Sequence, residues 1–270
     1  MIWWGLFKKE WKESQTRFFI GISLLSLIFV FMFFMMERNS PFFFFLGFAV
    51  IGVHAFYLFA AWLVSFVREW RDKTHYTWLN LPVSGWVLLS SKLAAGFSQF
   101  VLSLIFSMIA ADLMLSRALS LTFTEGSAFA ESAPVLEIFQ ELYRDFSPWI
   151  FMGIAHGSAQ LGLAVVFIFL ASKIIRPLGW LAGIVIVIGW GILVSFIQEL
   201  GVYSMVTQFG MLLNANALIE NALRPLGDAN FELAVEEGAA LYTGDILFHG
   251  LIYLFLFWLF SYLIDNYVEA

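Results

Sequence analysis

Six stretches of this 270-residue chain run for about 20 residues with almost no charge: 18–36, 41–67, 93–115, 149–171, 178–197 and 246–264. That length spans the roughly 30 Å hydrocarbon core of a bilayer as helix. Helix is the form open to such runs, because backbone groups in lipid must find their partners inside the segment. The sequence therefore predicts an all-α membrane protein with six transmembrane helices. Composition agrees. The chain is 61% hydrophobic and 13% charged, against about 45–50% and about 25% in soluble domains. A water-soluble globular protein needs more charged surface. A disordered chain would lack the 19% aromatic content.

Lys and Arg counts in the short loops set the orientation. Ten of the 14 lie on one side: Lys8, Lys9, Lys12, Arg17, Arg68, Arg71, Lys73, Lys92, Lys173 and Arg176. Arg38, Arg117, Arg144 and Arg224 lie on the other. The first side is expected to be cytoplasmic, with both termini there, in a multi-pass protein of the cell inner (plasma) membrane. The first span is too long for a cleaved signal peptide, and no small-residue cleavage site follows it. The net charge of −6 argues against a nucleic-acid partner. There is no cysteine, hence no disulfide or thiolate chemistry. His54, His75, His156 and His249 show no metal-ligand spacing, and no metal or catalytic site is expected.

Three segments between the spans carry information. Residues 1–17 place Trp3, Trp4, Phe7 and Trp11 on one helical arc, with charge on the rest. This predicts an interfacial elbow helix with Trp at headgroup depth, ahead of a transmembrane domain over 18–270. The loop 68–91 opens with Glu69, Arg71, Asp72 and Thr74. It continues with Tyr76, Trp78 and Leu79, then breaks at Pro82, with Ser84 placed to cap the next helix. An apolar edge on a cytoplasmic loop either packs back on the bundle or docks a partner. The outer segments 116–148 and 198–245 are long enough for elements of their own, and amphipathic outer helices are expected there.

The stretch Leu79-Asn80-Leu81-Pro82-Val83-Ser84-Gly85-Trp86, with Leu88-Leu89 and Lys92-Leu93, resembles the inner loop of ABC-2 type transporter permeases. The opening Leu6-Phe7-Lys8-Lys9-Glu10-Trp11-Lys12-Glu13 looks like the amphipathic start of the same family. Glu69 and Thr74 fit the family's acidic and Gly-Thr positions, but Lys73 stands where Gly is common. The resemblance implies the membrane subunit of an ATP-binding-cassette exporter. Its expected cargo is an amphipathic peptide, drug or lipid. It also implies a dimer with a second permease copy or paralogue, and P-loop ATPase subunits that carry the ATP and Mg. The loop around Glu69, Arg71, Asp72, Thr74, Tyr76, Trp78, Leu79 and Pro82 would be the coupling helix. The chain has no G-x-x-x-x-G-K-[ST] of its own and is not expected to be an enzyme. The alternative is a membrane scaffold or sensor partner that needs no ATPase.

Polar residues inside spans are functional candidates. His54, Gln99, Asp112, His156 and Gln160 stand out, as translocation-path groups or as hydrogen-bonded glue between helices. Asp112 has Arg117 as a candidate partner, or reaches water. Gly153-x-x-x-Gly157 and Gly162 predict a packing seam on the fourth span, and Gly179, Gly183, Gly189 and Gly191 one on the fifth.

Overall fold

A computed structural model of the protein describes residues 2–38, 42–124, 127, 129, 132–175, 177–214, 217–219 and 240–268. Six helices within them are long and apolar enough to cross a membrane. In chain order the elements are α1 (Ile2–Arg38), α2 (Phe42–Val53), a 3₁₀ turn (His54–Phe56), α3 (Tyr57–Arg71), α4 (His75–Leu79), α5 (Gly85–Leu121) and α6 (Ala133–Ile174). There follow α7 (Gly179–Glu199), α8 (Gly201–Thr207), β1 (Met211–Asn214), β2 (Ala240–Tyr242) and α9 (Thr243–Asn266).

The elbow expected over 1–17 is not a separate element. α1 runs unbroken for 37 residues, about 55 Å at 1.5 Å per residue, so its first turns extend the first span beyond the bilayer core. No Gly or Pro interrupts residues 6–20, and Glu10 on the inner face is 4% exposed. That face is already packed, so nothing favours a turn into the membrane plane. The aromatic arc holds: Trp3, Trp4, Phe7 and Trp11 follow one another with ring centroids 5.1–6.3 Å apart.

α5 lies at the centre and touches α1, α2, α3, α6 and α9. Its buried residues Leu89, Phe100, Leu104, Ala111, Leu115 and Ala118 recur at three- to four-residue multiples, the period of a helix face. Trp62 of α3 lies in a slot cut by two glycines. A methyl at Gly96 would meet its indole at 2.6 Å, and one at Gly162 at 2.5 Å. Gly162 thus belongs to a seam as the sequence predicts, but Gly153 and Gly157 face open space. On α7 the expectation divides in the same way. Gly179 and Gly183 press on the α6 backbone, while Gly189 and Gly191 meet nothing.

The second span is interrupted by the 3₁₀ turn. The backbone N–H of Leu58 beside it donates to Ser158 Oγ of α6 at 3.1 Å, which satisfies a group that lipid cannot. α6 carries Pro148 inside its 42 residues. A proline lacks the N–H that would bond the carbonyl four residues back, here that of Arg144. Ser147 Oγ donates to that oxygen at 3.1 Å instead.

The outer segments differ from expectation. Residues 133–148 are the first third of α6 rather than a separate amphipathic helix. Phe139 and Tyr143 there pack on Phe48, and Phe139 also on Phe44. Within 198–245, the seven-residue α8 is followed by an antiparallel pair, β1 with β2. Met211–Asn214 form a strand, and helical residues return at 217–219, so among the described residues this segment holds helix in short pieces. Residues 220–239 lie outside the described residues.

The Trp62 slot generates a prediction. Gly162→Ala should lower stability by about 1–3 kcal/mol, the usual cost of overpacking. Combined with Trp62→Leu it should cost less than the two single changes together. Denaturant unfolding in detergent micelles measures both.

Candidate functional site

The most unusual chemistry lies where α1, α3 and α5 meet, at the end of the bundle that holds α4. Lys92, near the start of α5, has a side chain 1% exposed. Its Nζ donates to Glu10 Oε2 of α1 at 2.6 Å, Glu69 Oε1 of α3 at 3.1 Å and Ser65 Oγ at 3.2 Å. Three helices therefore meet at one ammonium. A second lysine closes the ring: Lys9 Nζ lies 3.2 Å from Glu69, 3.4 Å from Glu10 and 3.4 Å from Glu13. The carboxylates of Glu10, Glu13 and Glu69 come close enough to share a cation, and the Lys9 and Lys92 ammonium groups lie among them. Buried charge is costly unless each ion is paired and its remaining valences are filled. Here Thr74 Oγ1 fills the second oxygen of Glu69.

Thr74 ties this network to the loop. The chain leaves α3 through Arg71 and Asp72 and turns at Lys73, whose φ is 59°. This left-handed conformation suits Gly, which gives a physical reason for the glycine of the resembling loops. α4 follows. His75 Nδ1 lies 3.3 Å from the Glu69 carbonyl, and its ring stacks on Trp70.

Trp78 corrects the sequence reading. It is 2% exposed rather than part of an outward edge. Its ring stands edge-on to Phe66 and Trp70, with Lys92 Nζ 5.3 Å from the ring centre, at cation–π range. Glu69 is equally inward. Arg71, Asp72, Thr74, Tyr76 and Pro82 are exposed and Leu79 is half-buried. Asp72 lies between two arginines; the hydrogen bond from Arg71, then that from Arg68, hold its carboxyl below the usual range.

The α4–α5 turn is secured from the far end of the chain. Ser84 occupies the N-cap position, but its hydroxyl makes no cap bond. Gly85 N–H instead donates to Asp265 Oδ1 of α9 at 2.6 Å, a carboxylate at the positive end of the helix dipole. A methyl at Gly85 would meet the Ser261 carbonyl at 2.7 Å. Trp3 Nε1 donates to Ser90 Oγ at 2.8 Å, so the start of α1 and the end of α9 both meet α5 here.

The intramembrane polar candidates form separate groups. Gln99 donates to Ser14 Oγ at 2.8 Å, as glue between α5 and α1. His54 bridges the 3₁₀ turn to α5 through Ser103 Oγ at 2.9 Å. His156 and Gln160 lie 2.9 Å apart on α6. Tyr253 Oη of α9 is 2.7 Å from His156 Nδ1, and His249 stands edge-on to it at 4.7 Å. His249 is brought to His156 from about 90 residues away, a proximity that spacing does not reveal. Asp112 makes no ion pair among the described residues. Arg117, its candidate partner, reaches Glu37 at 2.6 Å instead, and Asp112 lies beside Tyr143. Lys9, Glu10 and Lys92 stand in the stretches that carry the resemblance, but the sequence does not mark them as site residues or as partners of Glu69. The available signal was Lys92 itself, a charge directly before an apolar run and only one turn past Leu88-Leu89.

Fold and site together define an all-α, multi-pass membrane protein whose helices are clamped at one end by buried ions. No family model, curated protein or solved structure matches the chain.

Two predictions follow from the clamp. Lys92→Met strands two buried carboxylates and should cost about 3–5 kcal/mol, whereas Lys12→Met on the exposed side of α1 should stay within about 0.5 kcal/mol. At the turn, Lys73→Gly should leave stability unchanged or raised. Lys73→Val should lower it by roughly 1–3 kcal/mol, the cost of a strained backbone at a non-glycine residue. Thermal unfolding of the purified variants in one detergent compares all four.

Proposed function

We propose that this chain is the membrane-spanning permease subunit of an ATP-binding-cassette transporter, driven by P-loop ATPase subunits on other chains. The observation that carries this reading is α4. A short helix stands between the second and third spans, fixed to the bundle by Glu69, Thr74 and Trp78, with an exposed face of Arg71, Asp72, Tyr76 and Thr77. A part that passes force from a soluble motor to a helix bundle needs both properties. Its inner side must not slip, and its outer side must be free to dock.

In this reading the loop 68–91 lies in the cytosol, and each ATPase of a pair grips one α4. ATP and Mg act on those chains. Closure of the ATPase pair favours one arrangement of the bundles by the difference in its contact energy between the two states. The buried ions make α1, α3 and α5 follow α4 as a unit. A second permease copy or paralogue completes the path. Membrane-facing aromatic surface suits an amphipathic peptide, drug or lipid as cargo.

The test is docking. The tagged chain should retain the P-loop ATPase encoded beside it through detergent purification. Arg71→Glu with Tyr76→Ala should weaken that retention at least tenfold while thermal unfolding stays unchanged. A wild-type chain that retains no such ATPase, or a double variant that retains it fully, overturns the assignment and leaves a scaffold or sensor partner as the better reading.

A further inference from the structure

A cleft of about 540 Å³ opens between α1, α3 and α5, within the roughly 300–1,000 Å³ of small-molecule sites. Its walls are apolar: Phe18, Ile22, Leu25 and Ile28 from α1, Ala60 and Ala61 from α3. Its lips are exposed apolar residues of the spans, with Leu24 at 55%, Val53 at 66% and Phe56 at 63%. The opening therefore faces the membrane. At one end stands Arg17, directly before the first apolar run, with Ser14 and Gln99 nearby on the same lining.

The charge at that end is unbalanced. Arg17 makes no hydrogen bond or ion pair among the described residues, and its charged neighbours are Arg68, Arg71 and Glu13. Glu13 is already paired with Lys9. Arg68 and Arg71 share the single carboxylate of Asp72. Of these three arginines Arg17 alone lines the cleft, where the other charged groups, Glu10 and Lys92, are paired with each other. Arg17 is thus the lining charge without a counter-ion, with two more guanidinium groups close behind it. From Arg17 to Ile28 the wall is about 16 Å long, which is half of the roughly 30 Å apolar core and the depth of one leaflet.

We propose that this cleft binds one anionic phospholipid, its headgroup phosphate on Arg17 and one acyl chain between α1 and α3. Arginine suits the role, because its planar fork pairs two donors with phosphate oxygens. The lipid serves as a fixed part of the bundle, filling the gap that α1 and α3 leave beside the buried ions. The proposal stands whether or not the chain docks an ATPase.

Native mass spectrometry of the detergent-purified full chain with added phosphatidylglycerol or phosphatidylcholine tests it. The wild type should retain one phosphatidylglycerol, at least fivefold more than phosphatidylcholine. Arg17→Gln should lose that preference, and Lys12→Gln, the same charge change away from the cleft, should keep it. Gly21 lines the cleft, and a Cβ there meets nothing within 4 Å. Gly21→Phe should therefore fill the space, displace the lipid and still fold, which keeps the test decisive if Arg17→Gln is unstable. Equal retention of the two lipids, equal loss in Arg17→Gln and Lys12→Gln, or full retention by Gly21→Phe overturns the proposal. So does a dimer that Gly21→Phe dissociates, which would place a second copy in the cleft.

Discussion

One lysine taken out of water organises the end of this bundle. Lys92 cannot stay charged inside the protein unless carboxylates accompany it, and those carboxylates sit on two other helices. α1, α3 and α5 are thus held together by a penalty as much as by an attraction, because separating any one leaves an ion without its partner in a dry place. Apolar contacts between membrane helices lack this property, since lipid tails solvate a leucine about as well as a neighbouring helix does. The ion cluster gives the bundle a single register at the end that holds α4. The Trp62 slot then sets how closely α3, α5 and α6 approach further along.

Much of the architecture was legible in the sequence, for a simple reason. A span needs about 20 apolar residues whatever its neighbours do, so the six runs could be read one by one. The ends of the helices could not. α1, α5 and α6 continue past the apolar runs because the breakers in residues 6–20, 85–92 and 133–148 are few and placed harmlessly: Gly85 and Pro134 sit at helix starts, and Ser147 replaces the bond lost at Pro148. Nor could the β1–β2 pair be read. Met211–Asn214 is short, and its partner lies beyond residues whose spacing gives no hint of pairing.

The site was half legible. Glu69 and Thr74 were singled out by the loop's resemblance to known permeases, and they do meet in space. Their essential partners were hidden because a lysine at the start of a span is what orientation by charge leads one to expect. Even as part of the resembling stretch, Lys92 shows no ionic role until Glu10 is found against it. Trp78 went the other way. As a string, Tyr76-Thr77-Trp78-Leu79 reads as one exposed edge. Wound into a single helical turn, it splits into an outward tyrosine and an inward tryptophan. His156 and His249 show the same limit, since sequence spacing is blind to a contact between the fourth and sixth spans.

The repair at Pro148 has a mechanical consequence. A backbone amide is fixed in the peptide plane and resists bending, whereas the Ser147 hydroxyl turns about its own bond and can follow a moving carbonyl. The helix should be most compliant one turn below the residues that pack over α2, near where it leaves the lipid. The residues before the proline stay anchored, since Tyr143 Oη donates to the Met108 carbonyl of α5 at 2.9 Å, so any give at the crease is taken up by the helix axis and not by that packing.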